Sequence, residues 1–167
     1  VDPIAAVGVG GRQIPAKGGN IFDQFHIVYE YPGAVYAHMG SRQITGCHSE
    51  NHDYISGSKG NCKITWDGPV IRGEESWRYK GEKNEMYQEE HDTLFGHIRS
   101  GEYINDGEWV AKSSMLAIMG RMAAYTGQRI TWKMAMESEL DLAPDGLKWG
   151  DSFQPTGMPL PGKTKFI

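Results

Sequence analysis

Two Arg-Gln pairs carry the side chains best suited to holding a polar ligand. Arg12-Gln13 and Arg42-Gln43 each stand where a strand-like run stops. A guanidinium can fork two N–H bonds onto a carboxylate or a pair of hydroxyls, and the neighbouring amide both donates and accepts. At strand ends such pairs suit a carboxylated or polyhydroxylated substrate. They equally suit ordinary surface ion pairs of little energetic weight. In the charged cluster Glu89-Glu90-His91-Asp92, His91 also falls on an apolar helical stripe with Tyr87, Leu94 and Phe95. His91 is then either a satisfied core residue or one aimed at a pocket. His48 and His52 are four apart, with Cys47, Glu50 and Asp53 alongside. A helix would turn that spacing into a metal pair, but Gly46, Ser49 and Asn51 signal a loop, and spacing fixes no further ligand. No metal is expected.

Gly8-Val9-Gly10-Gly11 follows an apolar run, as the phosphate loop of a dinucleotide fold does. That fingerprint needs a third glycine and then a helix meeting the pyrophosphate. Here Gln13, Pro15 and Gly18-Gly19 follow instead, so the glycines read as part of a strand or bulge. Cys47 and Cys62 are two small hydrophobes or one bridge, not a framework. No nucleophile elbow, phosphate loop or zinc-protease helix is present. Trp66, Trp77, Tyr79, Trp109, Trp132 and Trp149 are platforms or core, and the sequence alone assigns none of them.

The elements that would position these residues fall in two halves. The first half is rich in strands, expected at 4–10, 25–31, 34–43, 53–58 and 61–66, with short ones at 70–72 and 77–79. Residues Phe25, Ile27, Tyr29 and Tyr31 alternate with His26, Val28 and Glu30, and Pro32-Gly33 turns that strand back on the next. The second half is helical. A helix over 86–98 stops at Gly101. A second, capped by Asn105 or Asp106, runs to Tyr125 and stops at Gly127. It is apolar over much of its surface, which predicts burial in the core. Thr131 caps a short third helix over 132–137. This order predicts an α+β domain, an open-faced and mostly antiparallel sheet with helices packed on one face. The domain is expected to span 1–139, with the Pro- and Gly-containing tail at 140–167 extended over it.

The chain has 167 residues, 39% hydrophobic and 23% charged, with a formal net charge of −4. This describes a globular domain with no basic surplus for nucleic acid, so no nucleic-acid partner is expected. No apolar run approaches the roughly 18 residues of a membrane span, so no membrane partner is expected either. The chain opens on Val1 rather than Met, which reads as a processed, truncated or engineered start and leaves cytoplasm and periplasm equally open.

Several stretches taken in order are more specific than any one of them. They are Ala6-Val7-Gly8-Val9-Gly10-Gly11-Arg12-Gln13, Gly19-Asn20-Ile21-Phe22-Asp23-Gln24-Phe25, Tyr29-Glu30-Tyr31-Pro32, Ser41-Arg42-Gln43-Ile44 and Gly57-Ser58-Lys59-Gly60. Gln88-Glu89-Glu90-His91-Asp92, Ile98-Arg99-Ser100-Gly101, the run 117–127 and the Trp132 helix follow. This succession resembles the C-terminal domain of Gfo/Idh/MocA oxidoreductases, especially the bacterial branch acting on sugar-like compounds.

The resemblance implies an open-faced sheet domain that supplies substrate contacts and often the homo-oligomer interface through its sheet face. It implies that NAD or NADP is bound by an N-terminal Rossmann domain, together with a catalytic Lys and an Asp-x-x-x-His helix. All of these would lie upstream of Val1. This chain alone is then expected to bind no cofactor, to hold no catalytic residue and to transfer no hydride. Its partner would be a sugar, cyclitol or related polyol. On the same ground Arg12, Gln13, Asn20, Asp23, Arg42 and Gln43 would face the cleft between domains, with His91 near it. The family also holds glycosidases that use a tightly held NAD, so the net reaction need not be redox. Two other readings stand beside this one: a standalone binding or dimerisation domain, and a metal-assisted lyase or hydrolase built on His48 and His52.

Overall fold

In the computed structural model, residues 1–14, 18–144, 146, 148–152 and 155–167 are described. Pro15, named above among the residues that follow the glycine run, lies outside them. The chain forms two compact units, one of Val1–Thr45 with Asp106–Ile167 and one of Gly46–Asn105. Both sheets are antiparallel, and with three helices among the described residues the class is α+β, as expected.

The first unit holds β1 (Ala5–Gly11), β2 (Gln24–Tyr31), β3 (Val35–Arg42) and β8 (Ile130–Thr131), in the order β3-β2-β1-β8. β1 pairs with β2 from Ala5 opposite Glu30 to Gly11 opposite Gln24, and Gln24 in turn faces Arg42 on β3. The alternation read along β2 holds, with Ile27 and Tyr29 buried while His26 is exposed. Helix α2 (Gly107–Thr126) lies on this face. Small residues let it come close. A Cβ on Gly8 would meet the Ile27 side chain and stand 3.4 Å from the Ala124 backbone. Ile27, Met119 and Ile130 are fully buried and centre the core, joined by Phe22, Met122 and Tyr125.

Only the second half of α2 sinks into that core. Its buried residues begin at Met119, while Trp109, Val110 and Ile118 stay exposed. The burial expected along the whole helix is thus confined to the turns that cross β1 and β2. Gly127 ends α2 with φ 72° and donates its N–H to Ala123. Thr131 caps α3 (Trp132–Met136), accepting from the Met134 N–H at 3.1 Å, the cap its sequence position predicted. Asp106 precedes α2, but its side chain makes no cap bond. The tail returns to this unit: the Gly162 N–H reaches the Thr126 carbonyl at 2.8 Å, and Ser138 Oγ donates to the Ile167 carbonyl.

The second unit holds β4 (Asp53–Gly57), β5 (Gly60–Thr65), β6 (Gly68–Gly73) and β7 (Trp77–Arg78), paired in that order, with α1 (Met86–Ser100). The sheet expected as one is therefore two of four strands each. Helix α1 ends at Gly101 in the left-handed conformation, as its glycine predicted. None of its residues is buried, and the stripe of Tyr87, Leu94, Phe95 and Ile98 is exposed. Every buried hydrophobic among the described residues belongs to the first unit. Cys47 and Cys62 are free thiols, Cys47 exposed. Among the described residues no helix is long and apolar enough to cross a membrane.

Candidate functional site

Five of the seven residues singled out from the sequence gather at one end of the first unit's sheet, and Asp23 holds that end together. Its backbone N–H donates to the Gly11 carbonyl at 3.0 Å and its carbonyl accepts from the Gln43 N–H at 2.8 Å. The ends of β1 and β3 are thereby tied to the start of β2. Its Oδ2 accepts from the backbone N–H groups of Gln13 and Ile14 at 2.9 and 2.7 Å. A carboxylate on two backbone donors fixes the turn out of β1, because charge-assisted bonds are the stronger ones. Arg12 is committed to the same turn. Its Nη1 donates to the carbonyls of Gly19 and Gly18 at 2.9 and 3.3 Å. Arg42 and Gln43 are exposed at the end of β3.

Asn20 stands slightly apart, on a cavity of about 950 Å3 between α2, the strands and the tail. Its Nδ2 donates to Thr156 Oγ1 of the tail at 2.8 Å. The walls are largely apolar and aromatic, with Phe25, Met39, Ile118, Met122 and Tyr125, while Ser41, Arg121 and Asp141 supply polar groups. A smaller recess of about 230 Å3 shares Asn20, Arg121 and Tyr125. Concave, mostly apolar space with a few convergent polar groups is the usual form of a small-molecule site. Phe22, Phe25 and Tyr125 form an aromatic cluster, with the Phe25 and Tyr125 rings stacked at 6.1 Å. Arg121 lies over Tyr125, its guanidinium carbon 4.4 Å from the ring centroid, a cation–π contact. Sequence reasoning assigned no role to Arg121, Ser41 or Asp141. The signal for Arg121 was present: it is the lone charge in the apolar run 115–125 of α2.

His91 belongs to the second unit. It is exposed, so the core reading of its stripe does not hold. Its Nδ1 lies 2.6 Å from the Tyr87 carbonyl one turn earlier, a contact that suits the tautomer with the proton on Nδ1. In the same unit Glu50 Oε2 stands 3.4 Å from both His48 Nε2 and His52 Nδ1, and Tyr54 donates to Glu50 Oε1. The hydrogen bond from His48 is the main reason the Glu50 carboxyl is held below its ordinary value of 4.5. Among the described residues no group of three His, Cys, Asp or Glu side chains is arranged to hold a metal ion.

The chain's own glycines do not form a dinucleotide cradle. Gly8 and Gly10 lie within β1, paired to β2, and a Cβ on Gly10 would stand 2.9 Å from the Gln24 carbonyl. Their smallness serves strand and helix packing, and among the described residues no helix follows them to meet a pyrophosphate.

No protein-family model matches the sequence, and no curated protein does. Solved structures do match. An oxidoreductase from Thermotoga maritima superposes with a TM-score of 0.59 at 16% identity, over 78% of this chain and 41% of that one. An oxidoreductase from Agrobacterium radiobacter, in complex with NAD+, L-tartaric acid and magnesium, gives 0.58 at 13% identity, over 78% and 43%. The WlbA dehydrogenase from Chromobacterium violaceum, in complex with NADH and UDP-GlcNAcA, gives 0.54 at 15% identity, over 86% and 41%. At such identities the agreement is one of fold, and the chain spans less than half the length of each of these structures. It shares its fold with part of each of these oxidoreductase structures.

Proposed function

We propose that this chain is the substrate-side part of an NAD(P)-dependent oxidoreductase acting on a sugar, cyclitol or related polyol, and that alone it transfers no hydride. The observation that carries the reading is the fold shared with oxidoreductases, one solved in complex with NAD+, L-tartaric acid and magnesium and another in complex with NADH and UDP-GlcNAcA. The cavity beside α2 supports it, having room for a sugar-like molecule and a few polar groups among apolar walls. Asn20, Ser41 and Arg121 are the substrate contacts in this reading. Arg42, Gln43 and the Gln13 side chain stand at the neighbouring sheet end, and Arg12 and Asp23 act by holding the turn that positions them. NAD or NADP belongs to a Rossmann domain outside this chain.

The test is the coding sequence upstream of the Val1 codon. An in-frame strand–G-x-G-x-x-G–helix unit with a Lys motif and an Asp-x-x-x-His helix is the expected result. A stop codon or an unrelated domain there would leave a standalone binding or dimerisation domain in its place.

The far face of the first unit's sheet favours self-association as well. Val9 and Tyr36 are 69% and 57% exposed there, and His26 and His38 pair across the strands with ring centroids 5.7 Å apart. An exposed apolar sheet face is a natural surface for a second copy. Light scattering of the chain at micromolar concentration should give a dimer or larger species, and Val9→Lys should give the monomer. A monomeric parent chain would refute this part.

A further inference from the structure

We infer that Arg121 selects the ligand of the cavity beside α2, and that this ligand is a polyhydroxylated monocarboxylate such as a uronic or aldonic acid. The inference rests on the reading of that cavity as the substrate site and narrows its substrate class.

The argument begins with what Arg121 does not do. Its guanidinium carbon stacks on Tyr125, and among the described residues its N–H groups make no hydrogen bond and no ion pair. Tyr125 is 6% exposed and accepts from the Phe22 N–H, so the ring under the guanidinium is fixed. A stacked arginine keeps the edge of its fork open, and that edge matches the two oxygens of a carboxylate in one plane. The guanidinium is therefore oriented by the ring and still has its donors to give. On a surface this would mean little. Here the same side chain lines both the larger cavity and its smaller recess, among Phe25, Met39 and Met122. Apolar walls lower the local dielectric and strengthen a charge-assisted bond relative to water.

The other polar groups of the cavity suit hydroxyls. Asp141 Oδ1 accepts from the Ala143 N–H at 2.8 Å, which orients its carboxylate, and Asp141 forms no ion pair with Arg121. The Asn20 amide donates to Thr156, leaving its carbonyl oxygen to accept. Ser41 adds a hydroxyl that does both. One cation, one anion and neutral acceptors fit a molecule with a single carboxylate at one end and hydroxyls along its body. An uncharged sugar would leave the Arg121 fork without its matching anion, and a phosphate dianion would meet Asp141.

The experiment uses the full 167-residue chain labelled with 13C at the methionine methyls. Met39 and Met122 report on the cavity and Met119 reports on the core. D-glucuronate and uncharged D-glucose are titrated separately, with acetate as the control for a bare carboxylate. Glucuronate should shift Met39 and Met122 saturably with a dissociation constant about tenfold below that of glucose. Arg121→Gln should bring the two sugars to equal affinity without moving the Met119 signal, and Arg121→Lys should keep part of the preference. Should Arg121→Gln fail to fold, added salt must weaken glucuronate binding to the parent chain and leave glucose unchanged. Equal affinities in the parent chain, or a preference that survives Arg121→Gln, overturn the role of Arg121 while leaving the cavity a sugar site. Saturation by neither sugar overturns the cavity reading and this inference with it.

Discussion

The Tyr29 hydroxyl stands where a side chain on Gly120 would begin, and from there it donates to the Leu116 carbonyl at 2.8 Å. One hydrogen bond thus joins the middle of β2 to α2 and uses the absence of a Cβ one turn further along the helix. The contact places α2 against β2 along the stretch that leads to Arg121 and Tyr125.

Replacing Gly120 by Ala should therefore destabilise the first unit by about 1–3 kcal/mol, the usual cost of overpacking a well-filled core. The helix gains propensity from alanine, about 1 kcal/mol, but the added methyl also crowds Ile27, whose Cγ1 would lie 3.2 Å away. Urea unfolding measures the loss. Tyr29→Phe in the same chain removes the clashing oxygen, so the double variant should lose less than the sum of the two single changes. Strict additivity would mean the two residues are not coupled through this contact.

The same phenol gives the fold an alkaline limit. Burial is the larger cause, and the nearby Tyr31 the smaller, of a Tyr29 pKa raised above 10.0. The folded state holds the proton more tightly than the unfolded chain. Stability from this group is therefore complete below pH 10.0 and is lost as pH rises through the higher folded value. Stability measured from pH 9 to 12, a range set by the ordinary value of about 10, should fall more steeply in the parent chain than in Tyr29→Phe. Parallel curves would refute it.

Asp23→Ala should release the turn after β1. It removes the acceptor for the Gln13 and Ile14 N–H groups and should cost about 1–3 kcal/mol, a range set by bonds to a charged group. Amide exchange should speed up most at those two residues, and Asp23→Asn should recover part of the protection. Unchanged exchange at Gln13 and Ile14 in Asp23→Ala would show that the turn is held by its backbone alone.

How far the sequence could carry this picture depended on whether a residue's role was local. β2 was readable because Ile27 and Tyr29 alternate with exposed His26, and the stops at Gly101 and Gly127 were readable because only glycine enters the left-handed region freely. The cap at Thr131 is local in the same way. The split into two sheets was not readable, because it depends on which strands pair, and pairing is set by contacts far apart in sequence. The stripe of α1 misled for a related reason: Tyr87, Leu94 and Phe95 have helical spacing, but spacing does not say whether a face is covered. At the candidate site, Asp23 and Arg12 were found by type and position, yet their bonds go to the turn itself. Arg121 stands out in the sequence as the lone charge of an apolar run, but what it faces depends on the tail, which brings Asp141 and Thr156 to the same cavity.

The tail's attachment can be separated from ordinary helix capping by comparing two glycines. Gly101 and Gly127 end α1 and α2 with nearly the same left-handed φ, 73° and 72°. A Cβ at Gly101 would meet nothing within 4 Å, whereas one at Gly127 would stand 3.0 Å from the Gly162 nitrogen and 3.3 Å from Pro161 Cβ. Alanine at either position costs about 1–2 kcal/mol for the left-handed conformation. Only Gly127→Ala also pushes on the strand of tail whose Gly162 N–H is bonded to Thr126. Gly127→Ala should therefore be the more destabilising change, and it alone should make the chain more easily cut by trypsin after Lys163 and Lys165. Tail cleavage is the sharper readout of the two, because the glycines lie in different units and their unfolding costs need not be measured against the same transition. Equal cleavage in the two variants would mean that the tail is held by its other contacts, those of Asn20 with Thr156 and of Ser138 with Ile167. The wall of the Arg121 cavity would then survive the loss of the Gly127 contact.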